Sequence, residues 1–261
     1  MVFTLLLFAE VNSQQHTRHI VQLRNKGNAA FTLANPLVYL SQRAIDRRLR
    51  YSIPIDSADL PVTPAYIQQI DNVPNVTILN SSKWLNSVTI MTSDPASLTT
   101  IANFPFVQSV TPIAARNAGR GQGRDKNAPI LEPHEGSQRT ERTAANYFNY
   151  GTQSFNEIHL HNGEFLHNIG LRGQGMQIGM LDNGYFNYPN LKAFDSARLQ
   201  GQILGTWDFV ARESNVANDG AHGMMCLSTI AANIPGQFIG KAPKASFWLY
   251  RTEDDASEYP I

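Results

Sequence analysis

The chain has 261 residues, 42% of them apolar, enough for a sizeable core and for one or two domains. Lys+Arg and Asp+Glu balance at 21 each, which excludes the dense basic face that nucleic acid or an anionic membrane surface calls for. The single cysteine, Cys226, excludes an internal disulfide framework and a zinc site built on cysteine pairs.

The opening stretch MVFTLLLFAEVNSQ contains an apolar run from Val2 to Ala9, too short to span a bilayer and placed where the core of a signal peptide stands. Residues 1–15 read as part of a signal peptide and the chain as exported; a buried N-terminal strand is the alternative. Charge is uneven along the chain. Up to Tyr150, 14 Lys+Arg face 10 Asp+Glu, and beyond it 7 face 11, so two halves of opposite sign can attract one another.

The run HIVQLRN (19–25) predicts a strand, and SQRAIDRRLRY from Ser41 predicts a helix with Ser41 as N-cap, Ala44, Ile45 and Leu49 on one side and the arginines on a solvated face. A second helix opens at Pro64, since proline suits the first helical turn, with Tyr66, Ile67 and Ile70 recurring on one side. Strands follow over 76–82 and 85–93, then a helix from Asp94-Pro95 through Ile101 and a strand over 107–113. This order resembles the split βαβ of ferredoxin-like domains, and residues 16–113 are expected to form a small α+β domain with helices on one face of the sheet.

Periodicity disappears over 114–149, where glycine, charge and polar residues dominate; the stretch reads as a linker open to proteolytic nicking. Gly119, Gly121 and Gly123 do not make a phosphate loop, because no strand leads into them and no Gly-Lys-Ser/Thr follows. Beyond Tyr150, apolar strands over 176–184, 202–210 and 245–252 surround a helix over about 221–233. Near-continuous apolar strands separated by a helix predict a parallel sheet covered on both faces.

In such sheets functional side chains sit just beyond the carboxyl ends of strands. Asp182 holds that position after Ile178-Gly179-Met180-Leu181, and Gly184 allows a sharp exit turn. His222 falls in the first turn of the following helix, with Asn218 or Asp219 as the expected cap. The positive end of the helix dipole disfavours imidazolium there, and a carboxylate partner would compensate. An Asp accepting from one ring nitrogen fixes the tautomer and frees the other nitrogen to take a proton from a nucleophile. Alone, Asp182 reads more readily as a turn cap and His222 as a structural helix residue.

The motifs IGMLDNG, with Asp182, and HGMMCLSTIAA, with His222 and Gly223, resemble the aspartate and histidine motifs of the subtilisin-like serine peptidases. GLRGQG before the first motif and GKAPKASFWLYRTED after the second are similar to the flanking segments of that family, and LVYLSQRAIDRRLRYSIPIDSADLPVTPAYIQQI is similar to its secreted bacterial members. The resemblance implies a doubly wound parallel sheet, incomplete here over 150–261, preceded by a ferredoxin-like propeptide. It implies a serine endopeptidase acting on protein or peptide substrates, with Asp182 and His222 catalytic, a contact between propeptide and catalytic domain, secretion, and no cofactor for catalysis. A structural calcium ion is compatible with the resemblance, but no residue is assignable to it. Departures from the motifs are Met224 and Ser228 in the histidine segment and Asn183 after the aspartate; they touch local packing and leave the proton-transfer pair intact.

No Gly-x-Ser follows His222. Ser228 falls inside the helix and Ser257 in the acidic tail TEDDASEYPI, so neither is suited to be the nucleophile, and the chain alone is not expected to hydrolyse peptides. Cys226 lies four residues after His222, and a Cys-His pair can make a thiolate, but the expected orientation turns the thiol toward Met225 and Ile230. His159, His161 and His167 lack the spacing of a helical ligand pair and read as surface residues, which demotes a metal-dependent hydrolase. The rival of a different class is a non-catalytic protein that binds or inhibits a protease through its propeptide-like domain. Neither nucleic acid nor membrane is an expected partner.

Overall fold

The computed structural model describes residues 17–27, 30–113 and 146–255. The signal-peptide assignment, the linker over 114–145 and Ser257 lie outside them. The described residues fall into two compact units, 17–113 and 146–255. No helix among them is long and apolar enough to cross a membrane.

In the first unit β1 (Arg18–Leu23), β2 (Thr77–Ser82), β3 (Ser87–Met91) and β4 (Val107–Pro112) form one sheet in the order β2-β3-β1-β4, with every neighbouring pair antiparallel. Period-two alternation puts Val21, Leu23, Val88, Ile90 and Val107 on the covered face. Against them pack α2 (Pro64–Asp71), through Ile70, Tyr66 and Ile67, and α3 (Pro95–Ala102), through Ile101 and Leu98. The starts of these helices follow from local chemistry. Pro64 gives up no needed N–H at the first position. Asp94 accepts from the Ala96 amide at 2.9 Å and from the Ser97 hydroxyl at 2.8 Å.

The helix α1 (Gln42–Arg50) begins at Ser41, whose hydroxyl accepts from the Ala44 amide at 3.2 Å. It differs from the expectation in what holds it. None of its residues is buried, and Leu49 is 75% exposed. The helix is instead tied down by an ion pair from Arg48 to Asp59, a buried carboxylate that also accepts from the amide of Asp56, the cap of the turn over 57–59. A nine-residue helix rich in arginine has too narrow an apolar stripe to be anchored by burial, so a charged contact does it.

In the second unit β5 (Gln177–Asp182), β6 (Ile203–Asp208) and β9 (Ser246–Arg251) make a parallel sheet in the order β5-β9-β6. A two-stranded antiparallel pair, β7 (Asn233–Ile234) and β8 (Phe238–Ile239), stands beside it. The helix α7 (His222–Ala231) covers one face, where Leu227 and Ala231 meet Phe247, Leu249, Ile178 and Met180. Fully burying Leu or Phe in this way stabilises the unit by ~1.5–3 kcal/mol per side chain.

Among the described residues the other face of the sheet is partly open: Leu181 is 64% exposed, Trp207 40% and Trp248 37%. Trp248 lies across Gly205, where an added Cβ would stand 2.6 Å from its ring. Continuous apolar sequence is therefore a sound sign of a parallel strand but does not tell which elements cover it.

Two further helices, α4 (Gly151–His159) and α5 (Gly163–Asn168), precede β5, and the short α6 (Asp195–Leu199) precedes β6. Phe148, Tyr150, Ile158 and Ile239 form a separate buried cluster. Residues 146–149, read from the sequence as the end of the linker, thus belong to the packing of the second unit. The reason is aromatic: Phe148 stacks edge-on to Tyr150 and to His167.

Candidate active site

Paired positions across the parallel sheet place Asp182, Arg251 and Asp208 side by side at the carboxyl ends of β5, β9 and β6. Asp182 is anchored through its backbone, its carbonyl accepting from the Thr252 amide at 2.9 Å, and its Oδ1 accepts from the Asn183 amide at 2.8 Å. The chain then leaves the strand along the segment that leads to α7. Tyr185 N donates to Val216 O at 2.8 Å, Asn187 N to Ala217 O at 2.8 Å and Phe186 N to Gly220 O at 3.1 Å.

Glycines permit this approach. Gly184 has φ +140 and faces the Gly220 amide, where a Cβ would sit 2.6 Å from the nitrogen. Gly223 faces Asp182 and the Gly184 carbonyl, where a Cβ would sit 2.7 Å from Asp182 Cβ and 2.5 Å from that oxygen. The strand exit and the helix start are therefore locked at contact distance.

The consequence is the pair that the sequence singled out. His222 Nδ1 lies 2.9 Å from Asp182 Oδ1 and 3.0 Å from Oδ2. A carboxylate can only accept, so Nδ1 carries the proton and Nε2 is the basic nitrogen. The Asp182 side chain is 12% exposed and that of His222 40%, which gives the acceptor a sheltered setting and leaves the imidazole open on one side. Chemically this is an oriented general base with its conjugate charge supported by a carboxylate.

The helix begins differently from the prediction. The residue before His222 is Ala221, whose own side chain offers no cap. Asp219, an expected cap, is instead 3.2 Å from Arg251, and His222 is itself the first helical residue.

Cys226 also departs from its expected orientation. Its Sγ lies 3.8 Å from both His222 Nδ1 and Nε2, because residues four apart share a helix face. Burial, with the charges of Asp182 and Glu253, pushes the Cys226 thiol up, so the contact does not make a thiolate. Asp182, His222 and Cys226 offer ligand atoms within 4.8 Å of one another. A metal ion there would compete with the Nδ1–H of His222 for the lone pairs of the Asp182 carboxylate. Ser228 donates its hydroxyl proton to Met225 O at 2.6 Å within α7, in keeping with a structural role.

The three histidines before β5 do not gather into a ligand set among the described residues. His167 is not a surface residue: it is 2% exposed, its Nδ1 is 2.8 Å from the Tyr150 hydroxyl and its Nε2 is 2.9 Å from Lys241 O. His159 pairs with Glu164 and stacks on Phe155.

The residue that sequence reasoning missed is Arg251. Its Nη1 is 2.9 Å from Asp208 Oδ2 and 3.2 Å from Asp219 Oδ1, and its Nε donates to Asn183 O at 3.2 Å. The available signal was a charged residue ending an apolar strand, the same signal that identified Asp182.

Parallel strands whose carboxyl ends present an Asp, followed by a helix that opens on its His partner, give an imidazole oriented by a carboxylate, a geometry suited to proton transfer. Comparison with known proteins gives the following similarities. Residues 18–128 match the family described as the peptidase S8 propeptide domain of Bacteroidota. Over 87 residues the chain is 34% identical to thermitase of Thermoactinomyces vulgaris, a match covering 32% of this chain and 28% of thermitase. Among solved structures, that of an epidermin leader peptide processing serine protease from Staphylococcus aureus aligns with a TM-score of 0.38 at 10% identity, covering 91% of this chain and 43% of that one. The chain thus resembles a peptidase S8 propeptide domain over residues 18–128 and is similar to a subtilisin-like peptidase over a further limited stretch, and it spans well under half the length of that relative.

Proposed function

We propose that the chain is the front part of a secreted subtilisin-like serine endopeptidase precursor. Its first unit is read as a ferredoxin-like propeptide, supported by the strand order β2-β3-β1-β4 with helices on one face. The second unit is read as the opening of a doubly wound catalytic domain.

The observation that carries the catalytic reading is the contact of His222 Nδ1 with both oxygens of Asp182, at 2.9 and 3.0 Å. Asp182 holds the imidazole in the tautomer with Nε2 free and stabilises the imidazolium that forms. His222 takes the proton of a serine hydroxyl as general base and returns it to the leaving amine as general acid. The serine hydroxyl so activated attacks the peptide carbonyl and forms an acyl-enzyme that water then cleaves. Protein or peptide chains are the substrates, and the propeptide contacts the catalytic domain until it is removed. No cofactor takes part in these steps.

The test is to read the coding sequence past the codon for Ile261. The reading expects an open frame with a Gly-x-Ser turn leading into a helix. A frame that closes without such a serine would overturn the peptidase reading. Inhibition of a protease by residues 16–113 would then assign the function to the propeptide-like domain.

A further inference from the structure

We propose that Arg251 is a positioning residue that fixes the geometry of the Asp182–His222 pair; the inference rests on the peptidase reading above. Three segments meet at the carboxyl edge of the parallel sheet, and Arg251 touches each. Its Nε donates to the carbonyl of Asn183, the residue directly after Asp182, at 3.2 Å. Its Nη1 reaches Asp219, three residues before His222, at 3.2 Å. The same nitrogen pairs with Asp208 at the end of β6, at 2.9 Å.

Asp208 is the fixed point of this arrangement. It is fully buried, and its Oδ1 accepts from the Val210 and Ala211 amides at 2.7 and 2.8 Å while Oδ2 takes Arg251. A buried carboxylate needs such partners, and removing one would leave an uncompensated charge. Burial works against the charge on the guanidinium, yet the hydrogen bond and charge of Asp208, with Asp219 and Asp254, outweigh it and hold Arg251 above its ordinary value. The cation is therefore permanent, and its fork is aimed by Asp208.

The geometry explains why arginine stands there. A planar fork with donors on two sides can serve the Asp182 loop through Nε and the His222 loop through Nη1 at once, whereas a lysine is a single point charge. Neither contact touches the reacting atoms, so Arg251 acts through Asp182 and His222. Small shifts matter at such a site, since about 1 Å of misplacement can cost ~10²-fold in rate.

The experiment is a ¹⁵N NMR measurement of the His222 ring in the full chain at alkaline pH, where imidazole is neutral. His222→Gln identifies its signals among the seven histidines. The wild type is expected to show the single Nδ1–H tautomer, and Asp182→Ala to lose it. Arg251→Lys keeps a cation beside Asp208 but cannot reach both loops, and is expected to lose the single-tautomer signature while its circular dichroism is unchanged.

Retention of the signature in Arg251→Lys, with loss in Asp182→Ala, would overturn the positioning role and leave the peptidase reading standing. An unchanged ring spectrum in Asp182→Ala would overturn the Asp182–His222 pair and the inference with it. If Arg251→Lys unfolds, Asp219→Ala, which removes only the arm to the His222 loop, decides by the same criterion.

Discussion

Gly223 and Asp182 lie so close that a Cβ on residue 223 would stand 2.7 Å from the Asp182 Cβ. The contact fixes where the first turn of α7 sits relative to the end of β5, and hence how His222 meets its carboxylate. Gly223→Ala is expected to cost ~1–3 kcal/mol through overpacking. The control is Gly179→Ala in β5, where nothing lies within 4 Å of an added Cβ, with an expected change inside about ±0.5 kcal/mol. Urea denaturation of both variants checks the difference.

Cys226 gives a second handle on the site because it is the single cysteine of the chain. Burial, Asp182 and Glu253 all raise its thiol, so the reactive thiolate forms only above the ordinary range for cysteine. Alkylation at neutral pH is expected to be slower than that of a free thiol, with its pH midpoint displaced upward. Asp182→Asn removes one of the two negative charges and is expected to bring the midpoint down. The pH dependence of iodoacetamide labelling, followed by mass spectrometry, measures both shifts.

The sequence made most of the framework legible because periodicity and end signals agreed. Pro64 and Asp94 mark helix starts through backbone chemistry that needs no tertiary partner, and α2 and α3 begin there. Asp182 and His222 were legible because a strand end and a helix start are local features, and the structure brings them together. What stayed hidden depends on contacts between distant segments. Arg251 reads as an ordinary strand terminus until its three acidic or carbonyl partners are known. The burial of His167 depends on Tyr150 and Lys241, far away in sequence. The face of Cys226 turned on helix phase: four residues bring its sulfur back over His222, whereas its apolar neighbours suggested otherwise.

In the first unit the core position with most at stake is Ile90, fully buried in β3 between β1 and β2. Ile90→Ala is expected to destabilise this unit by about 2–5 kcal/mol, through lost transfer energy and the cavity left behind. Met91, its neighbour on the opposite face, is 41% exposed, and Met91→Ala is expected to change stability far less. Thermal unfolding of the two variants compares them.

Asp94 predicts an acid limb in the stability of the same unit. Hydrogen bonds from Asn75 and Ser97, followed by that from the Ala96 amide, hold its carboxyl below the usual carboxylate range. A group depressed in the folded state contributes stability above its unfolded value, and that contribution is lost as pH falls through the folded value. The window therefore lies below about pH 4. Asp94→Asn is expected to flatten the pH dependence there, as read by denaturation midpoints across the acid range.

The central claim, that Asp182 and His222 are the proton-transfer pair of a serine peptidase, is tested most directly by peptide hydrolysis with the product of the whole gene. His222→Ala and Asp182→Asn are each expected to lower kcat on the order of 10⁴-fold or more, with KM little changed and the fold intact. Hydrolysis by His222→Ala at a rate near that of the wild type would contradict the account.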